Sequence, residues 1–118
     1  NLVAARVRAA GGIPKSNKLV DLAASVQAHH FLFEVKSTTE KNAREQARRG
    51  VSQLYEYRYL QNAPHAKLVL LLENRLARDL DWMLEYLVSD RQILVVWDGD
   101  GDKLHCPKAL EPEIGFLL

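Results

Sequence analysis

Two stretches of this 118-residue chain are apolar at nearly every position over the length of one strand: Lys-Leu-Val-Leu-Leu-Leu-Glu at 67–73 and Ile-Leu-Val-Val-Trp at 93–97. A strand with one face in water alternates apolar and polar residues. A run without alternation needs cover on both faces, the position of a central strand in a parallel sheet. Between the two runs, Leu76, Leu80, Met83, Leu84, Leu87 and Val88 recur at helical spacing, which predicts an amphipathic helix over 77–88. Strand, helix and strand in that order form a parallel, right-handed unit. The chain is therefore α/β, a mixed sheet flanked by helices.

The rest of the chain fits around this unit. Residues 2–10 read as a short helix that Gly11-Gly12 and Pro14 end. Two strands follow at 18–24 and 30–36. Ser37 with Glu40 three residues later forms a capping box for a long helix to about Leu60, which Asn62-Ala63-Pro64 stops. Asp98-Gly99-Asp100-Gly101 is a turn into a weaker strand around Leu104. With 47% hydrophobic residues the length suits one domain spanning 1–118. Asn1 rather than Met begins the chain and the helical pattern is already running, so it reads as a piece of a longer protein.

The two early strands carry the chemistry. Asp21 and Glu34 are equidistant from the Gln27–Ala28 junction, so a tight reversal there makes them face each other. Carboxylates opposed in this way repel unless a cation lies between them. Glu34 and Lys36, two apart, share one strand face; Phe31, Phe33 and Val35 take the other, with Val20 and Leu22 beside them. This puts the charges on one face and the apolar residues on the opposite one. Two carboxylates and an ammonium group so placed are the equipment of a divalent-metal phosphodiesterase, although a cross-strand salt bridge on a solvated face would use the same residues. In the following helix, Gln46, Gly50, Gln53 and Tyr57 are spaced by four, three and four, one stripe that can look onto the acid pair.

Asp21, Glu34-x-Lys36 and Gln53-x-x-x-Tyr57, in this order on strand, strand and helix, resemble the PD-(D/E)XK nuclease superfamily and the Q-x-x-x-Y motif of its RecB-like branch. The resemblance implies a restriction-endonuclease-like fold and a metal-dependent deoxyribonuclease of a bacterial defence or DNA-processing protein. It implies Mg²⁺, or Mn²⁺, on Asp21, Glu34 and the Val35 carbonyl, with Lys36 and Gln53 completing the catalytic set. Tyr57 would brace the site or touch DNA. Val20 rather than proline precedes Asp21, and residues 2–10 contain no acid, where many members carry a glutamate. An inactive nucleic-acid-binding module of the same fold is accordingly the alternative, and a purely structural domain the third reading.

Net charge is only +1, so binding to nucleic acid requires a local basic surface. Between positions 36 and 58, six cations stand against three carboxylates, with Lys41, Arg44, Arg48 and Arg49 as the candidate phosphate contacts. A homodimer or further domains would let such an enzyme cut both strands. The other candidate sites fare worse. His29 and His30 are adjacent on a strand and point apart. A calcium loop starting at Asp98 would need a glutamate at its twelfth position, where Ala109 stands. His105-Cys106 lacks an orienting third group. Trp82, Met83 and Trp97 are candidates for the core. A single cysteine excludes an internal disulfide and favours a reducing, cytoplasmic setting, and no apolar run approaches the roughly 20 residues that span a bilayer.

Overall fold

The hairpin reverses where the counting placed it. In the computed structural model, which describes residues 2–17, 21–99 and 103–118, strand β1 (Leu22–Val26) pairs antiparallel with β2 (His29–Lys36) in the register Leu22 to Phe33 and Val26 to His29. Gln27 and Ala28 form the two-residue connection, both at positive φ (52° and 69°). That conformation matches the right-handed twist of paired strands, though it is ordinarily supplied by Asn-Gly. The observed strand starts at Leu22; positions 18–20 of the expected strand, Val20 included, lie outside the described residues, as do positions 100–102 of the expected turn.

Beyond the hairpin the sheet grows in chain order. β3 (Lys67–Leu72) lies parallel to β2, and β4 (Ile93–Asp98) lies parallel to β3. The short β5 (Leu104–His105) closes the far edge antiparallel to β4. The two unalternating runs are thus neighbouring central strands, buried on both sides. Among the described residues, four α-helices flank the sheet: α1 (Leu2–Ala9), α2 (Ala43–Leu60), α3 (Asp81–Glu85) and α4 (Glu111–Ile114). None of the described helices is long and apolar enough to cross a membrane.

Each face of the sheet has its own core. On one, Phe31, Phe33, Val69, Leu71, Leu94 and Val96 pack against Val3 and Val7 of α1 and against Leu110, Ile114 and Leu117. On the other, Leu32, Leu68, Leu70, Leu72, Ile93 and Val95 pack under Ala47 and Leu54 of α2 and under Met83 and Leu87. This corrects the expectation that the charged face of the hairpin is merely polar. Leu32 is completely buried there, and α2 covers the same face. Val35, expected in the core with the phenylalanines, is 46% exposed because it lies at the strand's end, beyond the covering elements.

Two helical boundaries also differ from expectation. The long helix begins at Ala43 rather than at a Ser37 cap, because residues 37–39 form an irregular connection that passes through a turn at 40–42. Thr38 is buried there; its N–H donates to Glu73 Oε1 (3.0 Å) and its hydroxyl accepts from the Asn74 N–H (3.2 Å). These bonds tie the chain to the end of β3 before it can turn into a helix. The 77–88 segment is helical but broken into a 3₁₀ turn (Arg78–Leu80), α3 and a π turn (Tyr86–Asp90). Its apolar spacing still serves, with Met83 and Leu87 buried.

Candidate active site

Glu34 and Lys36 leave β2 on the side covered by α2, near the end where the strand passes into the Thr38 connection. Glu34 is only 3% exposed, and its Oε2 lies 3.1 Å from Lys36 Nζ, itself 16% exposed. Asp21 stands one residue before β1, and the register carries it opposite Glu34. Its Oδ2 accepts the Val35 N–H at 2.9 Å, so the carboxylate is fixed at the edge of the Glu34–Val35 peptide. Sequence counting therefore found the acid pair, and the tight turn brings it together.

The stripe on α2 closes over this group. Gly50 is where helix and sheet come closest: a Cβ there would collide with Leu70 Cδ1 and stand 3.4 Å from Lys36 Cγ. Gln46 Nε2 donates to the Ser37 carbonyl (3.0 Å), fastening the first turns of the helix to the end of β2. Further along the stripe lie Gln53 and Tyr57, both half-buried. Tyr57 reaches Glu34: burial first, then the charge of Glu34, pushes its hydroxyl up to about 12.

The electrostatics are those of a site short of positive charge. Burial pushes the Glu34 carboxyl above its ordinary value, and Asp21 adds to the effect, while the hydrogen bond from Lys36 opposes it. Among the described residues, Glu34 Oε1 and Gln53 Oε1 are buried and make no hydrogen bond of good geometry, although the Tyr57 hydroxyl stands close enough to Glu34 to favour its charged form. Such groups are costly and rare in a native interior unless something else satisfies them. Among the described residues no group of three His, Cys, Asp or Glu side chains gathers around a point, so a thiolate or imidazole cage is not formed. Two carboxylates with an amide oxygen nearby are hard donors, and they fit an ion that keeps several waters, as Mg²⁺ does, better than zinc.

The basic residues take a different place. Arg44 and Arg48 lie on the opposite flank of α2, where the Arg44 guanidinium sits 5.3 Å over the ring of Trp82. Arg49 pairs with Glu45 at 3.6 Å on the exposed surface, and Lys41 is exposed in the connection before the helix. Nothing draws these four towards the acid pair. Trp82, expected in the core, is 51% exposed, whereas Met83 is buried as expected and Trp97 is half-buried with Arg75 5.6 Å from its ring. His30 Nδ1 meets Ser25 Oγ at 3.3 Å beside the turn, and burial raises the Cys106 thiol, the reverse of an activated nucleophile. The Thr38–Glu73–Asn74 latch next to Lys36 went unread in the sequence. No spacing rule links residues 35 apart, and only the β2–β3 register makes them neighbours.

No protein-family model matches the chain, and no curated protein does. Among solved structures, the fold is similar to that of an XisH family protein from Nostoc punctiforme PCC 73102. The TM-score is 0.51 at 16% identity, over 89% of this chain and 97% of that one. The likeness covers nearly the whole sheet-and-helix arrangement. At this identity it shows a shared architecture, the α/β fold with a mixed sheet that the sequence implied.

Proposed function

We propose that this domain is a metal-dependent deoxyribonuclease of the PD-(D/E)XK kind, with Asp21, Glu34, Lys36 and Gln53 as its working residues. The observation that carries the reading is the buried Glu34, one oxygen paired with Lys36 and the other without a well-aligned hydrogen bond, opposite an Asp21 held in place by a backbone N–H. A salt bridge on a solvated face, the competing account of the same residues, would leave neither an orphaned oxygen nor a raised carboxyl.

Asp21 and Glu34, with the Val35 carbonyl, would hold Mg²⁺ or Mn²⁺. Such an ion, when bound, activates water and offsets negative charge on a phosphodiester. The chain's own residues do the rest. Glu34 keeps the Lys36 ammonium fixed by its salt bridge, so that a compact positive charge is presented to phosphoryl oxygens without reorganising during reaction. Gln53 offers an unspent carbonyl oxygen that can accept from a water, positioning it beside the carboxylates. Tyr57, whose hydroxyl stays protonated far above neutral pH, is a donor towards Glu34 or the nucleic acid. Lys41, Arg44, Arg48 and Arg49 would contribute phosphate contacts away from the reacting centre.

Incubation of plasmid DNA with the purified chain and Mg²⁺ or Mn²⁺ tests the reading. Cleavage that EDTA, Glu34→Ala and Lys36→Ala each abolish is the expected result. One observation favours the rival, a nucleic-acid-binding module without turnover: α1 has no acidic residue in its first turn, so the described carboxylates number only two at the site. DNA binding without cleavage under either metal would decide for it.

A further inference from the structure

The flank of α2 turned away from the acid pair carries a second arrangement. At about 100° per residue, Arg44 and Arg48 lie roughly half a turn around the helix from Gln46, Gly50, Gln53 and Tyr57. Together with the 81–90 helical segment they enclose a groove of about 390 Å³. Its floor is the buried pair Met83 and Leu87; its rims are the two arginines and two aromatic rings, Trp82 and Tyr86. Those rings are 51% and 44% exposed and four residues apart, so they stand side by side on one face. The amphipathic pattern needs neither of them there, since Met83 and Leu87 already fill the core beneath.

The charge of the groove is one-sided. Among the described residues, no acidic one lines it. Of the acids nearby, Glu45 pairs with Arg49 at 3.6 Å and Asp81 with Arg75 at 3.4 Å, while the exposed Glu85, beside Tyr86 in sequence, does not line the groove. Among the described residues no carboxylate pairs with Arg44 or Arg48. The Arg44 guanidinium lies 5.3 Å from the centroid of the Trp82 ring, on one side of it, and the ring is still 51% exposed. Exposed aromatic faces beside unpaired guanidinium groups match one polymer closely: bases stack on the rings and phosphates take the cations. A duplex keeps its base faces inside its own stack and could use only the arginines.

We infer that this groove binds single-stranded nucleic acid, with bases stacked on Trp82 and Tyr86 and the phosphates held by Arg44 and Arg48. The inference rests on the nuclease reading only for the class of ligand, and its test requires no cleavage. In EDTA and low salt, a labelled oligothymidylate is titrated against the chain and followed by anisotropy and by tryptophan fluorescence. Trp82→Ala and the double variant Arg44→Gln/Arg48→Gln should each weaken binding by about ten-fold, the second also flattening the salt dependence. Trp82→Phe, which keeps a ring, should restore most of the affinity; a blunt duplex should respond to the arginines and not to Trp82. Circular dichroism and melting confirm that each variant is folded. If the parent binds the oligonucleotide but cuts nothing, the nuclease reading fails alone. If plasmid is cut while Trp82→Ala binds the oligonucleotide unchanged, this inference fails alone. Absence of oligothymidylate binding overturns it, as does displacement by polyglutamate at matched charge, which would make an acidic protein surface the occupant.

Discussion

The two faces of the central sheet are built from the same strands and solve different problems. Towards α1 and the C-terminal segment, Phe31, Phe33, Val69, Leu71, Leu94 and Val96 form an all-apolar layer in which every contact is stabilising. Towards α2 the layer begins the same way, with Leu32, Leu68 and Leu70, and then Glu34 and Lys36 interrupt it beneath a helix. Burying that pair forfeits solvation that Coulomb attraction does not fully return, and an apolar pair of similar volume would serve stability at least as well. A face that keeps a charge pair, an orphaned carboxylate oxygen and an orphaned amide oxygen is shaped by something other than stability.

The largest effect that can break this comparison is catalytic. Glu34→Ala or Lys36→Ala should lower metal-dependent cleavage on the order of 10³-fold. Val69→Ala, on the opposite face, should cost about 1–3 kcal/mol of stability and leave cleavage per folded molecule unchanged. Plasmid nicking rates beside denaturant melts would make the division. If Val69→Ala lowers activity as much as Glu34→Ala, the faces are not functionally distinct.

Next in size is the response to a divalent cation, with a definite dependence on pH. Burial raises the Glu34 carboxyl above the ordinary 4.5, so the folded chain binds that proton more tightly than the unfolded chain. Its contribution to stability is full below 4.5 and is lost as pH rises through the raised folded value. Without metal, then, a Glu34→Gln chain should gain in melting temperature relative to the parent as pH rises towards neutral. Mn²⁺ competes with the proton. It should stabilise the parent at neutral pH by about 2.7 kcal/mol at about 100 times its Kd, and progressively less in acid. Equal shifts at both pH values, or an undiminished shift in Glu34→Gln, would remove the cation from this site.

A smaller effect concerns how the second face is closed. Gly50→Ala places a Cβ against Leu70 Cδ1 and the Lys36 stem, and should destabilise by about 1–3 kcal/mol as an overpacked contact. If α2 shifts outward to accept it, Mn²⁺ affinity and cleavage fall beyond what the loss of folded chain explains. Ala47→Gly, on the same helix but outside the stripe, costs helix propensity of about 1 kcal/mol and about 1 kcal/mol more for the buried methyl it removes, without adding an atom against the site. A melt and an Mn²⁺ titration of both variants would separate propensity from position.

How far each face could be read in advance follows from the range of its interactions. The strand runs and the hairpin were legible because their signals are local: unbroken apolar residues mean two-sided cover, and two acids equidistant from a turn must meet. The stripe from Gln46 to Tyr57 was legible for the same reason, being a matter of helical period. What escaped depends on tertiary neighbours. Nothing in the sequence from Ser37 to Asn42 reveals that Thr38 is tied to Glu73 and Asn74, which is why the capping box at Ser37 gave way to a later start. Trp82 looked like core as a large aromatic side chain, yet Met83 and Leu87 fill that role and leave the ring half outside. The segment 108–117 carried too weak a period to be read as helical, though Leu110, Ile114 and Leu117 finish the first face.

The smallest effect tests the device that brings Asp21 to Glu34. Gln27 and Ala28 both adopt positive φ, and each non-glycine residue held there costs about 1 kcal/mol against the usual right-handed region. Replacing the pair by Asn-Gly, which the turn favours, should relieve part of this and stabilise by about 0.5–1 kcal/mol; the greater freedom of glycine in the unfolded chain offsets some of the gain. Because the register from Val26–His29 to Leu22–Phe33 is unchanged by such a turn, the Asp21 contact to the Val35 N–H should persist and cleavage should be unaffected. Inserting one residue between Gln27 and Ala28 is the informative opposite. It would slip the pairing, turn one strand's residues to the wrong faces and separate the carboxylates, so that a modest loss in melting temperature accompanies a complete loss of Mn²⁺ response. A chain that tolerates the insertion and still responds to Mn²⁺ would show that the acids do not depend on the hairpin for their meeting.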